Sequence, residues 1–482
     1  MSRAARLAAL GGVAAVLAVG LALGPLEGVT HVPDEAAYAL QARLFASGTW
    51  LGEVPADAEY VAQAFVRFEP GLHSAFPPGW SAVLALGALV GATWLVNPLL
   101  LALVPALAFR LTAHVADEAA AWRAAALGAL SPGLVLLASS QMAHTSTLVA
   151  GLVLTCAVVG ALGPTAGGLA GAYLVLARPY EALVVGGPLL LALLWRRRAW
   201  QAVVFPGLAA AILLASNVWL TGDWSMFPTR AWFLDQVPDR PGCDALGFGL
   251  DRGCSPQHGS LGHTPQKAWL ALRHNTGVYA RLLFGWAPLA LLALPGLVGL
   301  ARRAPLVLWP LTVVAAYTLY WTQGVAYGAR FYHLAYIAVL PALGLTLARA
   351  PRAGWLVLLA CAWGYSRTSA DLPGYWCADR TVAETLEDRS GLAWYARAGT
   401  VERQWPYVGT ASMTCDEKSA WNAAIGQAPL DGDLQLRSWP GRRGVARGYA
   451  RTYYPDLDAW VLEHDLVDGD ATVRPLFGSG TR

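Results

Sequence analysis

Long runs without a charged side chain constrain the fold of this chain more than any other feature. The runs that lack Asp, Glu, Lys and Arg cover residues 7–26, 70–109, 124–177, 182–195, 199–222, 282–301, 304–329, 331–348 and 353–366. A helix crosses a bilayer with about 20 apolar residues, and in lipid only a helix or a closed barrel satisfies its backbone hydrogen bonds. Only 13% of residues are charged, about half the share in soluble domains. This excludes a soluble or disordered chain and predicts an all-α polytopic membrane protein.

The basic residues between these runs predict the topology. Short basic clusters occur at residues 3–6, 110–123, 196–198, 302–303 and 349–352. Loops that carry positive charge remain on the cytoplasmic side. With all five clusters inside, the chain makes about eleven crossings. The first run then acts as an uncleaved signal anchor, with the N-terminus inside and the C-terminus outside.

This topology divides the chain into two predicted domains. Residues 1–366 form the transmembrane domain, with long external loops at 27–78 and 223–272. Residues 367–482 are polar and rich in Trp, Asp and Arg, and we expect a small external domain of mixed structure. The stretch 79–109 is too long for one crossing, so residues 80–95 are expected to lie along or dip into the outer leaflet before a crossing that starts near Pro98. The net charge of +3 gives no large basic or acidic field that would point to nucleic acid, and the apolar runs make membrane lipids the expected partners.

Four of the six cysteines fall on the predicted outer side. Cys243 and Cys254 share one external loop, and Cys377 and Cys415 share the tail. Even numbers in an oxidising compartment favour the disulfides 243–254 and 377–415. Four free thiols are the alternative.

The first external loop opens with a predicted helix. In the segment 30–47, Thr30 or Asp34 is suited to cap the helix, and Pro33 suits its first turn. Its apolar positions fit an amphipathic helix lying on the membrane surface. Asp34 and Glu35 have two explanations that the spacing leaves open. Acids favour the positive end of a helix, and a carboxylate there can also serve as a general base or metal ligand.

Three further motifs fall on the same predicted side. The Pro77-Pro78 pair ends the first external loop. Arg178 lies three residues before Glu181, so the two side chains either pair or contribute to a site. Arg330 is the one charge in residues 304–348, and it either extends to the membrane interface or binds a phosphate through its planar fork. Their common side predicts one cavity that faces outward.

The order of these motifs resembles the polyprenyl-phosphate-dependent glycosyltransferases of the GT-C superfold. The likeness is closest to bacterial family 39, the protein mannosyltransferases and the lipid A aminoarabinose transferases. The motifs that carry it, over roughly residues 1–350, are Asp34-Glu35-x-x-Tyr38, Pro77-Pro78-Gly79, Ser131-Pro132, Arg178-Pro179, the long loop at 223–272, and Arg330-Phe331-Tyr332 with Pro341 downstream.

The resemblance implies inverting transfer of a hexosyl or pentosyl group from a polyprenyl-phosphate donor to an envelope acceptor. The reaction would take place on the outer face of the inner membrane. Asp34 would deprotonate the acceptor, and Arg330 would hold the donor phosphate. The other residues expected to bind substrate are Glu35, Tyr38, His144, Arg178, Tyr332 and His333. A divalent metal ion is optional in this family. Many relatives have an acid in the second external turn, where this chain has Gln141 and His144.

Two alternatives to an enzyme remain at the level of the sequence. One is a transporter or flippase of a lipid-linked glycan, although transporters often show internal repeats and polar sites at the midplane. The other is a non-catalytic assembly protein that binds envelope polymers through its tail. The assembly protein would predict that replacing Asp34 is harmless.

Overall fold

The computed structural model describes most of the chain. The described residues are 1–55, 58, 62–254, 262–322, 324, 326–373, 375–378, 385, 407–408, 446, 476 and six strands of the tail. The helices are α1 Arg3–Leu23, α2 Pro33–Ala46, α3 Pro78–Ala88, α4 Val96–Leu101, α5 Val104–Val115, α6 Glu118–Leu130, α7 Pro132–Ser139, α8 His144–Val159, α9 Pro164–Ala177, α10 Pro179–Glu181, α11 Gly187–Arg197, α12 Gln201–Thr221, α13 Pro228–Gln236, α14 Pro265–Phe284, α15 Ala293–Arg303, α16 Thr312–Thr318, α17 Tyr336–Arg349 and α18 Pro351–Asp371. The described part is therefore mostly helical, as predicted.

Four helical segments are long and apolar enough to cross a membrane. They are Arg3–Leu23, Thr93–Val115, Gln201–Thr221 and Arg330–Arg349. Two bent pairs, α6 with α7 at 45° and α14 with Ala287–Arg303 at 86°, raise the number of candidate spans to six within the described residues. The remaining apolar helices are shorter, so the eleven-span topology stays a prediction.

The stretch 79–109 forms one candidate span, in agreement with the expected single crossing. Helix α3 has 11 residues, which at 1.5 Å per residue is too short to cross. A separate segment, Thr93–Val115, has the length of a span and starts a few residues before the expected Pro98.

The predicted uninterrupted run at 282–301 is broken. Helix α14 already begins at Pro265, inside the predicted loop, and ends at Gly285, which has a left-handed φ of +90°. A side chain at residue 285 would collide with the backbone of Ala360 and Gly364. The close contact with α18 therefore requires glycine, and glycine permits the sharp bend.

Buried contacts between helices hold the described transmembrane part together. The most extensive pairs are α9 with α12, α5 with α6, and α6 with α17. At Gly344 of α17 an added side chain would meet Ala120 and Ala124 of α6. Small residues allow such close approach, which drives helix association in membranes.

Short strands occur in the loop at 27–78 and in the tail after α18. In the first loop β1 (Val66–Arg67) pairs antiparallel with β2 (His73–Ser74). The tail contains β3 Gly391–Ala398, β4 Val401–Trp405, β5 Thr410–Cys415, β6 Leu434–Ser438, β7 Ala459–Asp465 and β8 Ala471–Pro475. Four form a sheet in the order β6-β3-β7-β8, and β4 pairs with β5.

In the sequence, 434–436 and 449–454 are the strand-like pieces of the tail; the first lies in β6, whereas 449–454 lies outside the described residues. The tail contacts the helices at Tyr407, whose hydroxyl donates to Gly285 O at 3.0 Å. The amides of Tyr407 and Val408 both donate to Asp371 Oδ2 at 3.0 Å. Whether residues 367–482 form a separate domain stays a prediction.

Candidate functional site

The side chain of Asp34 takes no part in capping helix α2. The expected caps were Thr30 or Asp34, but the N-cap position is Val32. The Glu35 carboxylate caps the helix by accepting from the amides of His31 at 2.8 Å and Val32 at 3.2 Å. This is the reciprocal half of a capping box. The expected surface position is also wrong, because α2 is buried along almost its whole length.

Glu35 joins three parts of the chain. Its carboxylate also accepts from the Gln141 amide at 2.6 Å and from the Tyr327 hydroxyl at 2.8 Å. Glu35 is 1% exposed, and its two oxygens meet four protein donors. These contacts hold α2, the Gln141 turn and the Tyr327 segment together, and the expected contact of Glu35 with substrate stays a prediction.

Asp34 and Arg330 form the centre of the site. Arg330 Nη2 lies 3.4 Å from Asp34 Oδ1, and their side chains are 11% and 20% exposed. Arg330 Nε has no hydrogen-bond partner, and Nη1 lies 3.8 Å from Met142 Sδ. Asp34 and Arg330, almost 300 positions apart in the sequence, therefore form a partly exposed ion pair.

Arg178 and Glu181 pair, which was the structural alternative for this motif. Arg178 Nε lies 2.6 Å from Glu181 Oε1, and Nη2 donates to Tyr317 Oη at 2.9 Å. Tyr317 in turn donates to Glu181 Oε1 at 2.7 Å. Arg178 is therefore largely neutralised within the protein, and sequence reasoning missed Tyr317 because an apolar helix gave no signal for it.

Two histidines lie beside this pair. His333 Nε2 is 2.8 Å from Thr147 Oγ1 and 3.4 Å from Glu181 Oε2, and Nδ1 is 2.9 Å from Arg330 O. His144 meets His333 edge to face, with ring centroids 4.9 Å apart. Both residues are fully buried. His144 lies close enough to Arg178 and Arg330 to interact with their positive charges.

Tyr38 completes the cluster from α2, one turn beyond Asp34. Its ring stacks on Phe76 at 4.6 Å. Burial raises the pKa of Tyr38, the positive charge of Arg178 lowers it, and the charge of Asp34 raises it. Tyr38 is therefore a neutral phenol close to the charged pair. The structure thus brings together Asp34, Tyr38, His144, Arg178, Arg330 and His333.

Two pockets adjoin these residues. One is lined by Gln41, Trp50, Phe76 and Asn217, among others. The other is lined by Tyr332 with Asn275, Phe331 and Tyr317. Both are small, and Tyr332 lines the second.

The long loop at 223–272 contacts the end of α16 and the segment that follows it. The predicted disulfide Cys243–Cys254 is present, and both cysteines pack with Trp321. The amide of Gly247 donates to Leu319 O at 2.9 Å, and His263 Nε2 lies 3.0 Å from Thr318 O. The side chains of the second predicted pair, Cys377 and Cys415, lie outside the described part of the structure. Cys156 and Cys361 are free thiols.

The disulfide is expected to hold this loop closed. Changing Cys243 and Cys254 together to serine should increase tryptic cleavage after Arg252 by on the order of 100-fold, because a bridge of this loop length contributes roughly 3 kcal/mol. Limited proteolysis in detergent measures this. Cys361→Ser is the control, and equal cleavage of all variants would show that the loop closes without the bridge.

The site was also expected to admit a divalent metal ion. Among the residues that the structure describes, no group of three or more His, Cys, Asp or Glu side chains is placed to hold one. Glu35 and Oε1 of Glu181 accept hydrogen bonds from protein donors, and among the described residues these acids are not grouped with enough further ligands for a resident metal.

Comparison with solved structures identifies the fold. The chain is similar to ArnT from Cupriavidus metallidurans bound to undecaprenyl phosphate, with a TM-score of 0.59 and 12% identity over 96% of this chain and 94% of that one. The archaeal oligosaccharyltransferase AglB from Archaeoglobus fulgidus, in complex with an inhibitory peptide and a dolichol-phosphate, gives a TM-score of 0.47 at 12% identity over 95% and 69% of the two chains. No protein-family model and no curated protein matches. The chain therefore has the GT-C fold expected from its motifs.

Proposed function

We propose that this chain is a membrane glycosyltransferase. It transfers a hexosyl or pentosyl group from a polyprenyl-phosphate donor to an envelope acceptor, on the outer face of the inner membrane and with inversion. The observation that carries the proposal is the Asp34–Arg330 pair, a carboxylate and a permanent cation at 3.4 Å in a partly exposed position. The GT-C fold and the apolar helices support it. Because a fold hosts many functions, the site carries the argument.

Asp34 is the proposed general base. Unlike Glu35 and Glu181, which are 1% exposed, its side chain is 20% exposed and can meet a substrate. The acceptor hydroxyl gives its proton to Asp34 as its oxygen attacks the anomeric carbon. The bond from that carbon to the phosphate oxygen breaks, and its electron pair leaves with polyprenyl phosphate. One direct displacement inverts the anomeric centre and needs no second carboxylate as nucleophile.

Arg330 is the proposed phosphate-binding residue. Its guanidinium is always charged, and its planar fork matches two phosphate oxygens. Nε has no partner within the described residues, so the fork retains a free donor. Arg178 lies nearby but is engaged by Glu181 and Tyr317, and its proposed role is to hold the site in shape. Glu35 holds the α2 terminus, and Tyr38 and His333 are proposed to contribute to substrate binding beside the Asp34–Arg330 pair.

The acceptor is proposed to approach from the pocket beside Phe76. Its lining combines aromatic faces, Trp50 and Phe76, with the polar side chains of Gln41 and Asn217. Aromatic rings with a few convergent polar groups form a typical small-ligand site. Phe76 stacks on Tyr38, so this pocket borders the charged cluster.

A direct transfer assay tests the proposed function. Purified protein in detergent is incubated with radiolabelled sugars on a panel of polyprenyl phosphates and with an envelope extract, beside Asp34→Asn. Label that reaches an acceptor only with the native chain supports the transferase and identifies its sugar. Donor binding without transfer from any donor would contradict it, and a liposome translocation assay would then test the flippase.

Arg330→Lys should weaken use of the donor. Lysine keeps the charge but is a point donor and cannot form the bidentate contact. We expect the apparent KM for the donor to rise about tenfold, which corresponds to the loss of one charged hydrogen bond, with a smaller effect on kcat. Initial rates at varied donor concentration measure this. Arg67→Lys, which alters the pair with Asp235, is the control. An unchanged KM would show that Arg330 does not bind phosphate.

A further inference from the structure

The start of helix α8 is open toward the site. The N-cap position is Ala143, which offers no capping side chain. The first amide bonded within the helix is that of Thr147, which donates to Ala143 O. In the described structure the backbone amides of residues 144–146 have no acceptor within the helix, as is general for a first turn. A helix N-terminus carries a partial positive charge.

Two side chains of this turn are buried without partners. His144 is 0% exposed, and neither ring nitrogen has a hydrogen-bond partner among the residues that the structure describes; Thr145 is 2% exposed, and its Oγ1 has none there either. Buried polar groups almost always have a partner, and exceptions call for an unseen ligand or water. Unlike these two, Thr147 is bonded to His333 and to its own helix.

Arg330 lies beside the same turn. Its Nη1 is 3.8 Å from Sδ of Met142, two residues before His144, and its Nε has no partner within the described residues. Asp34 pairs with Arg330, and Oε1 of Glu181 accepts from Arg178 and Tyr317, whereas Oε2 of Glu181 lies 3.4 Å from His333 Nε2. The first turn of α8 and the neighbouring Arg330 side chain therefore both retain donors without partners.

We propose that the N-terminal turn of α8 and Arg330 together form a phosphate-binding site. The amides of the first turn, one ring nitrogen of His144 and the Thr145 hydroxyl donate to phosphate oxygens on one side, and the Arg330 fork donates on the other. Anions bind at helix N-termini because the amides and the dipole act together. Identifying the ligand as the donor lipid rests on the proposed function, whereas the anion site does not.

Binding without turnover tests this site. The purified full chain in detergent is titrated with undecaprenyl phosphate, with uncharged undecaprenol, and with undecaprenyl phosphate in the presence of inorganic phosphate. The variants are Thr145→Val, which removes only the hydroxyl, and His144→Leu. Thr155→Val is the matched control, because its hydroxyl is bonded to Gly151 O at 2.8 Å roughly three turns further along α8.

Thr145→Val should weaken binding of undecaprenyl phosphate about tenfold, the size expected for one hydrogen bond to a charged group. Undecaprenol binding and the Thr155→Val control should not change. Displacement of undecaprenyl phosphate by inorganic phosphate would support a site that recognises the anion alone. No displacement would support a site that recognises the lipid headgroup. Native-like affinity in Thr145→Val, or an equal loss for undecaprenol, would overturn the proposal. Because transfer is not measured, failure of the transferase assay leaves this result intact, and Thr145→Val decides if His144→Leu does not fold.

Discussion

Asp34→Asn should reduce sugar transfer by at least 100-fold while leaving the protein folded. A positioned base typically contributes on the order of 100-fold to 10,000-fold to a rate, and asparagine has nearly the same shape but does not accept the proton. Because Asp34 takes no part in capping α2, the helix should be retained. The measurement is the initial rate of transfer at saturating donor, together with the affinity for undecaprenyl phosphate, which should persist because Arg330 remains.

Asp235→Asn is the matched control for this change. Asp235 is an exposed carboxylate, paired with Arg67, and its replacement should leave the rate unaltered. Full activity of Asp34→Asn would remove Asp34 from the mechanism, and loss of donor binding would indicate a structural defect instead.

Glu35→Gln, at the residue next to Asp34, should have the opposite result, a loss of folding stability. It should lower the free energy of unfolding by about 3 kcal/mol or more, since hydrogen bonds to a buried charge contribute roughly 1.5–3 kcal/mol each. A glutamine amide turns one acceptor into a donor, which then faces groups that also donate. Thermal unfolding of the detergent-solubilised protein measures the change as a lowered midpoint.

Glu53→Gln in the same external loop, at an exposed position, is the control and should not shift the midpoint. A stable Glu35→Gln protein that has lost only transfer would show that Glu35, and not only Asp34, acts on the substrate. The contrast between the two adjacent acids separates a catalytic from a structural carboxylate.

The parts of the site that were predicted are those signalled by scarce charges. Arg330 stands alone in a long uncharged stretch, and Asp34 opens a helix that proline marks, so both could be identified from the sequence. Their contact could not, because it joins segments almost 300 residues apart. The role of Glu35 was also hidden, since its partners Gln141 and Tyr327 come from distant turns.

The fold shows a similar division. Helices follow from apolar composition and from prolines at first turns, as in α2 and α3. Helix bounds in the apolar runs follow from packing instead. The bend after α14 depends on Gly285 meeting α18, and hydropathy is continuous across it. The burial of α2 depends on neighbours that no local pattern specifies.

The ion pair between Asp34 and Arg330 also has a kinetic consequence for the proposed glycosyltransferase. Without a donor, the proposed base is paired with Arg330, and an acceptor hydroxyl arriving first would meet a carboxylate that is already engaged. Phosphate binding would give Arg330 another partner and release Asp34. Substrates should therefore add in a compulsory order, donor before acceptor, and a mimic of the lipid product should compete with the donor but not with the acceptor. The proposed enzyme would therefore rest in an inactive state until the donor binds.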